Sequence, residues 1–451
     1  MPQQFDMFVE DSGSGLLADL LRNSDRLFVK KLSNNDRDWA RLSNKHQAGV
    51  YVPPRERDSG FFPRLVAKDR DDPEAHEIRE TWFRTDWQQF GIERKTRLVH
   101  YTSKGPETHM TGVPKEAFAD LSPASWLVVV RADRDGEPNF VCLTIDSNSD
   151  DAIVLTDTLG LDTTFISGIL DPRDILARER DRIMDFAEEV ALAWLAGNIA
   201  AFAADRAKMP VTVELAAMAR TAFLERHKLA ALDPFVLEHP GDAIREISRV
   251  IEWGLFREFQ RRERAVELVR AVLGDDAATI DMKGVVRRLV DATGAIDAIM
   301  LSASQQRKSR AGYSFEHQIE AMLVAGNVPF AKQVVMDARK RPDFVLPSLA
   351  HLRKPLKGAA RGLILSAKTT LRERWKQVQR EMGGSDLFLA TVDESIAANA
   401  IEDMASLGIS LVVPEELKQS KDTEYVRHDN VLDFATFFRD ELRDRRMLAW
   451  G

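Results

Sequence analysis

GLILSAKTTLRERWKQVQRE, residues 362–381, is the stretch of this sequence that decides the fold. It begins with a continuous apolar run, which is typical of a central strand that is buried on both faces of a sheet. The run ends at Lys368, and the charged residues that follow have the pattern of a helix. The stretch therefore predicts an α/β core with a lysine at the end of a central strand.

Acidic residues on both sides of this strand suit phosphodiester chemistry. Asp343, in RPDFVLP, opens a predicted strand 25 residues before Lys368; Glu316 lies on the helix before it, and Glu381 on the helix after Lys368. Cleavage of DNA needs a divalent cation that lowers the pKa of the attacking water, and carboxylate oxygens suit Mg²⁺. A lysine stabilises the developing negative charge. This spacing is the PD-(D/E)xK pattern of nucleases, except that Ser366 stands where the pattern has an acid.

Charge is distributed unevenly along the chain. Residues 304–380 contain 16 Lys and Arg but 5 Asp and Glu, whereas the whole chain has a net charge of −8. A basic block that contains a few carboxylates, inside an acidic protein, indicates a polyanion partner. Together with the nuclease pattern around Lys368, this block indicates a nucleic-acid partner.

The 451 residues divide by composition into three parts. Residues 1–170 contain short runs that predict strands of a barrel or sandwich, namely RLFVKKL, GVYVPP, TRLVHYT, SWLVVVRAD, NFVCLTID and DAIVLTD. Residues 171–451 form the second predicted domain, with a helical segment at about 173–305 and an α/β core at about 306–451. In that core Asp393 and Glu394 lie between a strand and a helix, where capping of the helix is the expected role.

The C-terminal motifs resemble one nuclease family closely. SAKTTLRERWKQVQRE, KSRAGYSFEHQIE and RPDFVLP are together similar to the catalytic domain of the EcoRII family of restriction endonucleases. In that family the second acid comes from the helix after the lysine, 13 residues on, which implies Glu381 here. The resemblance therefore implies a catalytic set of Glu316, Asp343, Lys368 and Glu381, with Mg²⁺ held by Asp343 and Glu381.

The same resemblance implies how the DNA sequence is read. Arg372, Glu373 and Arg374 match the residues that read C·G pairs in enzymes that cut CC…GG sites. Arginine bonds guanine O6 and N7 bidentately, and glutamate accepts from cytosine N4. Without the resemblance, these charges would be interpreted as an exposed helix surface. The other implied DNA contacts in this region are Arg307, Lys308 and Arg310.

The N-terminal motifs FVKKLSNND and KHQAGVYVP resemble the EcoRII N-terminal domain, a B3-like β-barrel (pseudobarrel) that binds a second copy of the recognition site. The loop between Asp36 and His46 is longer here than in that family. His46 and Tyr51 also have an alternative reading as structural residues of the barrel. The matched positions include Lys30. The implied DNA contacts of this domain are Lys31, His46, Tyr51, Glu93, Arg94, Lys95 and Arg97.

The predicted function is that of a type II restriction endonuclease. The enzyme is expected to be a homodimer that cuts both strands of double-stranded DNA at a palindrome with a CC…GG core. The resemblance implies regulation by the second site, and a partner methyltransferase is expected. One cysteine, Cys142, and no signal-like N-terminus predict the cytoplasm; acidic residues within the most apolar stretch, 186–204, exclude a membrane span. Two alternatives stay open, a DNA-binding protein with an inactive nuclease core and a structure-specific nuclease.

Overall fold

The computed structural model describes residues 12–42, 49–69, 76–134, 136–162, 164–275, 281–332, 334, 341–354, 356, 358–371 and 385–450. The chain forms two compact units. The first unit comprises residues 1–178 with 394–398 and 420–426, and the second comprises residues 179–393, 399–419 and 427–451.

In its described residues the first unit is built on one nine-stranded sheet. The strands are β1 (Leu27–Lys31), β2 (Val50–Val52), β3 (Val66–Ala67), β4 (Ile78–Trp87), β5 (Ile92–Tyr101), β6 (Thr108–Thr111), β7 (Trp126–Arg131), β8 (Asn139–Ile145) and β9 (Ser167–Leu170). Their order in the sheet is β2-β6-β5-β4-β8-β7-β1-β9, with β3 paired to β4. Neighbouring strands are antiparallel except β4 and β8, which are parallel.

This sheet is curled around its own core. Strands β1 and β2 stand far apart in the strand order, yet Phe28 of β1 and Val50 of β2 lie in the same buried cluster as Met110 and Phe140. Side chains on one face of a sheet meet those of distant strands only if the sheet bends toward that face. The sequence prediction of a β-rich, barrel-like N-terminal domain is confirmed in this form.

Two helices, Ser12–Asn23 and Asp150–Leu159, cover the outer face of the curled sheet. Leu21 of the first helix and Leu155 of the second pack with Val29 and Val128 in a second buried cluster. Burying each such side chain contributes roughly 2 kcal/mol. The helices of this unit are α1 (Ser12–Asn23), α2 (Asn34–Arg41), α3 (Pro54–Arg57) and α4 (Asp150–Leu159).

Helix α4 corrects a sequence prediction, because DAIVLTD was expected to be a strand. The Ser149 side chain accepts a hydrogen bond from Ala152 N, and Gly160 ends the helix in the left-handed conformation. Leu155 and Leu159 are buried at helical spacing. Caps at both ends and one apolar stripe decide for the helix, although the short apolar run by itself suits either structure.

The one cysteine of the chain, Cys142, reports on the integrity of this core. It lies in β8, fully buried, and burial raises the pKa of its thiol. The thiolate is the reactive form, so we expect the native protein not to react with a chromogenic disulfide reagent. One thiol per chain should react in guanidinium chloride. Rapid reaction in native buffer would contradict the buried position of β8.

Helices dominate residues 172–325. A π-helical turn, Ile247–Ile251, connects α8 to α9. The last of these helices, α11 (Thr293–Ala325), continues without interruption through the position of Glu316. The helices are α5 (Pro172–Leu195), α6 (Ile199–Arg206), α7 (Thr212–His227), α8 (Pro240–Glu246), α9 (Glu252–Leu273), α10 (Met282–Asp291) and α11 (Thr293–Ala325).

The second unit contains a six-stranded mixed sheet. Its described strands are β10 (Ala331–Lys332), β11 (Phe344–Leu346), β12 (Leu363–Ala367), β13 (Asp386–Ala390), β14 (Ile409–Val413) and β15 (Val431–Asp433), and they lie in the sheet in chain order. The first three strands are antiparallel to their neighbours, and β12 to β15 are parallel. The remaining helices are α12 (Leu349–Leu352), α13 (Ala398–Ser406), α14 (Glu415–Gln419), α15 (Phe434–Thr436) and α16 (Leu448–Trp450), with a π-helical run, Phe437–Met447, between the last two.

The core of the second unit places α11 and the C-terminal helical run against this sheet. Phe315 and Ile319 of α11 share one buried cluster with Leu365 of β12 and with Phe437 and Phe438. Every residue of β12 is buried, as its continuous apolar sequence predicts. The predicted C-terminal α/β fold with a helical segment is confirmed. Among the described helices, none combines the length and apolar character needed to cross a membrane.

Candidate active site

Asp343 and Lys368, which lie 25 residues apart in the sequence, are in direct contact. Lys368 Nζ donates to Asp343 Oδ2 at 2.8 Å. The antiparallel register of β11 and β12 pairs Phe344 with Leu365, so Asp343, just before β11, lies beside the end of β12. The side chain of Asp343 is 13% exposed and that of Lys368 is 27% exposed. The sheet thus presents a carboxylate and an ammonium group that solvent and a substrate can reach.

Ser366 supports Asp343 where the nuclease pattern has an acid. Its buried hydroxyl donates to Asp343 Oδ2 at 3.3 Å, and the backbone N–H of Ala367 donates to the same oxygen at 2.7 Å. A second carboxylate at this position would repel Asp343, whereas the hydroxyl orients it. The serine therefore holds the first acid in place.

Glu316 is buried on α11, the helix that packs against β12. Its neighbour Phe315 lies in the core cluster with Phe344 and Leu365. Ser314 and Gln318, on the same stretch of α11, are also buried polar residues. Glu316 is thus a buried carboxylate on the helix whose neighbouring residue, Phe315, packs with β11 and β12.

Several predicted site residues lie outside the described residues. Arg372, Glu373, Arg374 and Glu381 fall in 372–384, and His46 falls in 43–48. Arg307, Lys308 and Arg310 lie on the backbone of α11, but their side chains are outside the description. The roles of these residues stay predictions.

The donor set around Asp343 is compatible with a divalent cation. In the described part of the chain, the three donors to Asp343 all reach Oδ2. The other oxygen, Oδ1, is then available to a hard metal ion such as Mg²⁺. Asp343 therefore fits the role of a metal ligand, with the second predicted ligand, Glu381, outside the described residues.

A second acidic cluster, formed by His239, Asp242 and Glu415, places three ligand atoms within 4.8 Å of one another. Its carboxylates already serve as helix caps. Glu415 accepts from the N–H groups of Gly241, Asp242 and Ala435, and Asp242 accepts from Glu416 N. Burial, the largest effect, raises the pKa of Glu415, and the hydrogen bonds from the backbone N–H groups of Gly241 and Asp242 only partly offset this rise. Helix termini that need acceptors account for this cluster.

On the first unit, the β4–β5 hairpin carries a cationic surface with an exposed tryptophan. Trp82, which is 48% exposed, lies opposite Arg97 in the register. Lys95 Nζ lies 5.2 Å from the centre of its ring and the Arg97 guanidinium carbon 5.8 Å. Arg97 also pairs with Glu80. Cation–π contacts of this kind hold long basic side chains in one orientation.

The pKa of Glu80 reflects this arrangement. Burial would raise the pKa of Glu80, but the hydrogen bond and the charge of Arg97 outweigh burial and lower it. The predicted hairpin residues Glu93, Arg94 and Lys95 are exposed on β5. The sequence prediction missed Trp82 because β4 was not recognised as a strand. The alternation of Phe83, Thr85 and Trp87 was the available signal.

Other N-terminal residues that the sequence predicts to contact DNA form interactions within the first unit. Lys31, at the end of β1, pairs with Glu394 at 3.1 Å and lies over the ring of Trp126. Lys30 is buried in an ion pair with Asp36 at 2.6 Å. Tyr51 is half-buried in β2, where its backbone N–H donates to Asp36.

Asp393 does not cap the next described helix along the chain, which corrects the sequence interpretation of this residue. Helix α13 begins at Ala398, five residues later. Instead the Asp393 carboxylate accepts from the backbone N–H of Leu371 at 2.7 Å. The sequence gives no local sign of this contact, because the two residues belong to different elements.

Sequence comparisons cover the region that contains this site. Residues 279–438 match the family model described as EcoRII C terminal, and they include all four predicted catalytic residues. The type II restriction enzyme EcoRII of Escherichia coli is 33% identical over 129 residues, 28% of this chain and 32% of that enzyme. The type II restriction enzyme SsoII of Shigella sonnei is 29% identical over 155 residues, 32% of this chain and 49% of that enzyme.

These matches span less than half of the length of either relative. Among solved structures, metal-depleted Ecl18kI in complex with uncleaved, modified DNA aligns with a TM-score of 0.43 and 23% identity, covering 52% of this chain and 79% of that chain. The family model and the sequence relatives confirm the predicted resemblance to EcoRII-like restriction endonucleases.

Proposed function

We propose that this chain, whose residues 279–438 match the EcoRII C-terminal domain, is a type II restriction endonuclease. In this proposal it hydrolyses both strands of duplex DNA at a short palindrome with a CC…GG core, in a Mg²⁺-dependent reaction. The observation that carries the proposal is the contact of Lys368 with Asp343 at 2.8 Å. This contact lies at the ends of β11 and β12, within the matched region.

The residues at the site have complementary roles in this reaction. Mg²⁺ held by Asp343 and Glu381 would polarise the scissile phosphate and lower the pKa of the attacking water. The hydroxyl of Ser366 and the N–H of Ala367 fix the orientation of Asp343. The ammonium group of Lys368 stabilises negative charge that develops on the phosphate. Glu316 adds a carboxylate beside this centre and supports the site.

Sequence specificity is assigned to the residues that follow Lys368. Arg372 and Arg374 bond guanines in the major groove, and Glu373 accepts from cytosine. Arg307 is assigned as a further DNA contact, and Lys308 and Arg310 are assigned as phosphate contacts. A palindrome has two-fold symmetry, so a homodimer presents one active site to each strand.

The first unit binds a second copy of the site and regulates cleavage in this proposal. Its contact surface comprises Lys31, His46 and Tyr51 together with Glu93, Arg94, Lys95 and Arg97 of the hairpin. The exposed cations around Trp82 support this assignment, because phosphate contacts dominate the affinity for DNA. A DNA methyltransferase that protects the host sites completes the system, which we place in the cytoplasm.

Digestion of unmethylated phage DNA tests the proposal. We expect discrete fragments in Mg²⁺, and sequencing of their ends should give one CC…GG palindrome with its central and flanking bases. A smear would instead indicate a non-specific or structure-directed nuclease. Specific binding without cleavage, with and without added short duplexes that contain the site, would indicate a DNA-binding protein with an inactive core.

The hairpin surface gives a separate prediction. Replacing Lys95 with alanine should remove one phosphate contact and make the negative slope of log K against log salt shallower by about 0.9. The measurement is fluorescence anisotropy of a labelled duplex in Ca²⁺ over a series of salt concentrations. Arg79→Ala is the matched control, since Arg79 is an exposed cation of the same hairpin that pairs with Glu77. Equal slopes for Lys95→Ala and the wild type would remove Lys95 from the DNA surface.

A further inference from the structure

Three residues, Thr369 to Leu371, separate Lys368 from Arg372. If the backbone of such a short connection is fixed at several points, the position of Lys368 determines where the connection ends. The placement of these three residues then determines where the chain leaves the catalytic lysine and enters the segment that begins at Arg372. Their contacts therefore bear on how base reading is aligned with cleavage.

The connection is fixed at its far end by Asp393. The backbone N–H of Leu371 donates to Asp393 Oδ2 at 2.7 Å. Asp393 is 3% exposed, and Leu371 is fully buried. A carboxylate makes a stronger hydrogen bond to an N–H than a neutral acceptor does. A buried carboxylate is costly unless it is bonded in this way, so the contact resists opening.

Asp393 is itself held by the neighbouring strands. Its backbone N–H donates to Thr391 Oγ1 at 3.0 Å, and Thr391 N donates to the carbonyl of Val412 at 2.9 Å. Thr391 is fully buried at the end of β13. The backbone of Asp393 is thus connected through Thr391 to β14, which lies between β13 and β15 in the sheet.

Two further bonds fix the near end of the connection. Lys368 N donates to the carbonyl of Ala390 at 3.0 Å. Arg249, in the π-helical turn, donates through Nη2 to the carbonyl of Thr369 at 3.2 Å. The backbone is therefore held at residues 368, 369 and 371 by three separate elements.

We propose that Asp393 is a positioning residue that sets the start of the Arg372–Arg374 segment relative to Lys368, and thereby couples base recognition to cleavage. This inference rests on the proposed function of that segment. Asp393 contacts neither DNA nor metal in this role. It acts through the backbone of Leu371, so its loss affects the discrimination between DNA sequences more than folding.

The test compares Asp393→Ala and Asp393→Asn with the wild type on two duplexes, one with the CC…GG site and one with a single C·G pair replaced. Binding is measured by anisotropy in Ca²⁺, and single-turnover cleavage in Mg²⁺. The discrimination ratio is the value measured on the CC…GG duplex divided by the value on the altered duplex. We expect this ratio to be about tenfold smaller for the alanine variant than for the wild type, which is the size of one base contact. The asparagine variant keeps an acceptor oxygen and should recover most of that ratio.

Equal losses on both duplexes, or an unchanged ratio, would overturn the positioning role. If Asp393→Ala does not fold, Arg249→Met, which removes the donor to Thr369, should reduce the ratio in the same direction, and no change would overturn the proposal. If the wild type binds specifically but does not cleave, the nuclease proposal fails while the binding ratio still tests Asp393. If the wild type does not discriminate between the duplexes, both proposals fail.

Discussion

Asp343→Asn lowers the rate of DNA cleavage by on the order of 10³-fold, the effect of losing several kcal/mol of charge stabilisation from a bound cation. The substitution keeps the shape of the side chain but removes the charge that attracts Mg²⁺. It also removes the ion pair with Lys368 at 2.8 Å. We therefore expect weaker metal binding and slower cleavage in the same variant.

The measurement combines single-turnover cleavage with a titration of Mn²⁺ followed by electron paramagnetic resonance in the absence of DNA. Glu320→Gln is the matched control. Glu320 forms a comparable ion pair with Lys332 at 2.5 Å, with side-chain exposures of 33% and 26%. Its neutralisation should leave both quantities within a few-fold of the wild type. Cleavage by Asp343→Asn at close to the wild-type rate would remove Asp343 from the active site.

Lys368→Ala loses about 10²- to 10³-fold in cleavage rate, the range found when one donor to a developing anion is removed. Unlike Asp343→Asn, this variant keeps the carboxylate that holds the cation. Mn²⁺ binding should therefore be retained or strengthened, since the competing ammonium group on Asp343 Oδ2 is gone. The two variants separate metal binding from charge stabilisation at the phosphate.

Lys332→Ala is the control for this second variant, because it removes a lysine of similar exposure from the Glu320 ion pair. DNA binding in Ca²⁺ should stay within a few-fold of the wild type for both lysine variants. If Lys368→Ala cuts at more than about a tenth of the wild-type rate, Lys368 contributes less than one such donor. If it loses DNA binding instead, its main role is electrostatic attraction of the substrate.

Much of the second unit could be predicted from local sequence. The runs that became β12, β13 and β14 are short and continuously apolar, and strands buried on both faces need such sequences. The strand at residues 431–433 was harder to predict from the sequence. Val431–Asp433 form the strand β15, which pairs with β14. A three-residue strand is too short to show a period of its own.

The sequence alone determined the chemistry available to this protein. An aspartate and a lysine at strand ends, flanked by two glutamates within a basic block, predicted a metal-dependent nuclease, and the motifs around them predicted the family resemblance. These features are local, since residue type and spacing along one strand or helix carry them. The match of residues 279–438 covers this part of the chain.

The tertiary structure decided which of these groups meet. The register of β11 and β12 brings Asp343 to Lys368, and Ser366 becomes a donor to that carboxylate. Asp393 reaches Leu371 across 22 residues, and Trp82 meets Lys95 across a hairpin. Such contacts join residues from separate elements, and their distances depend on how the whole chain packs. Periodicity within one element contains no information about the partner that packing brings to it.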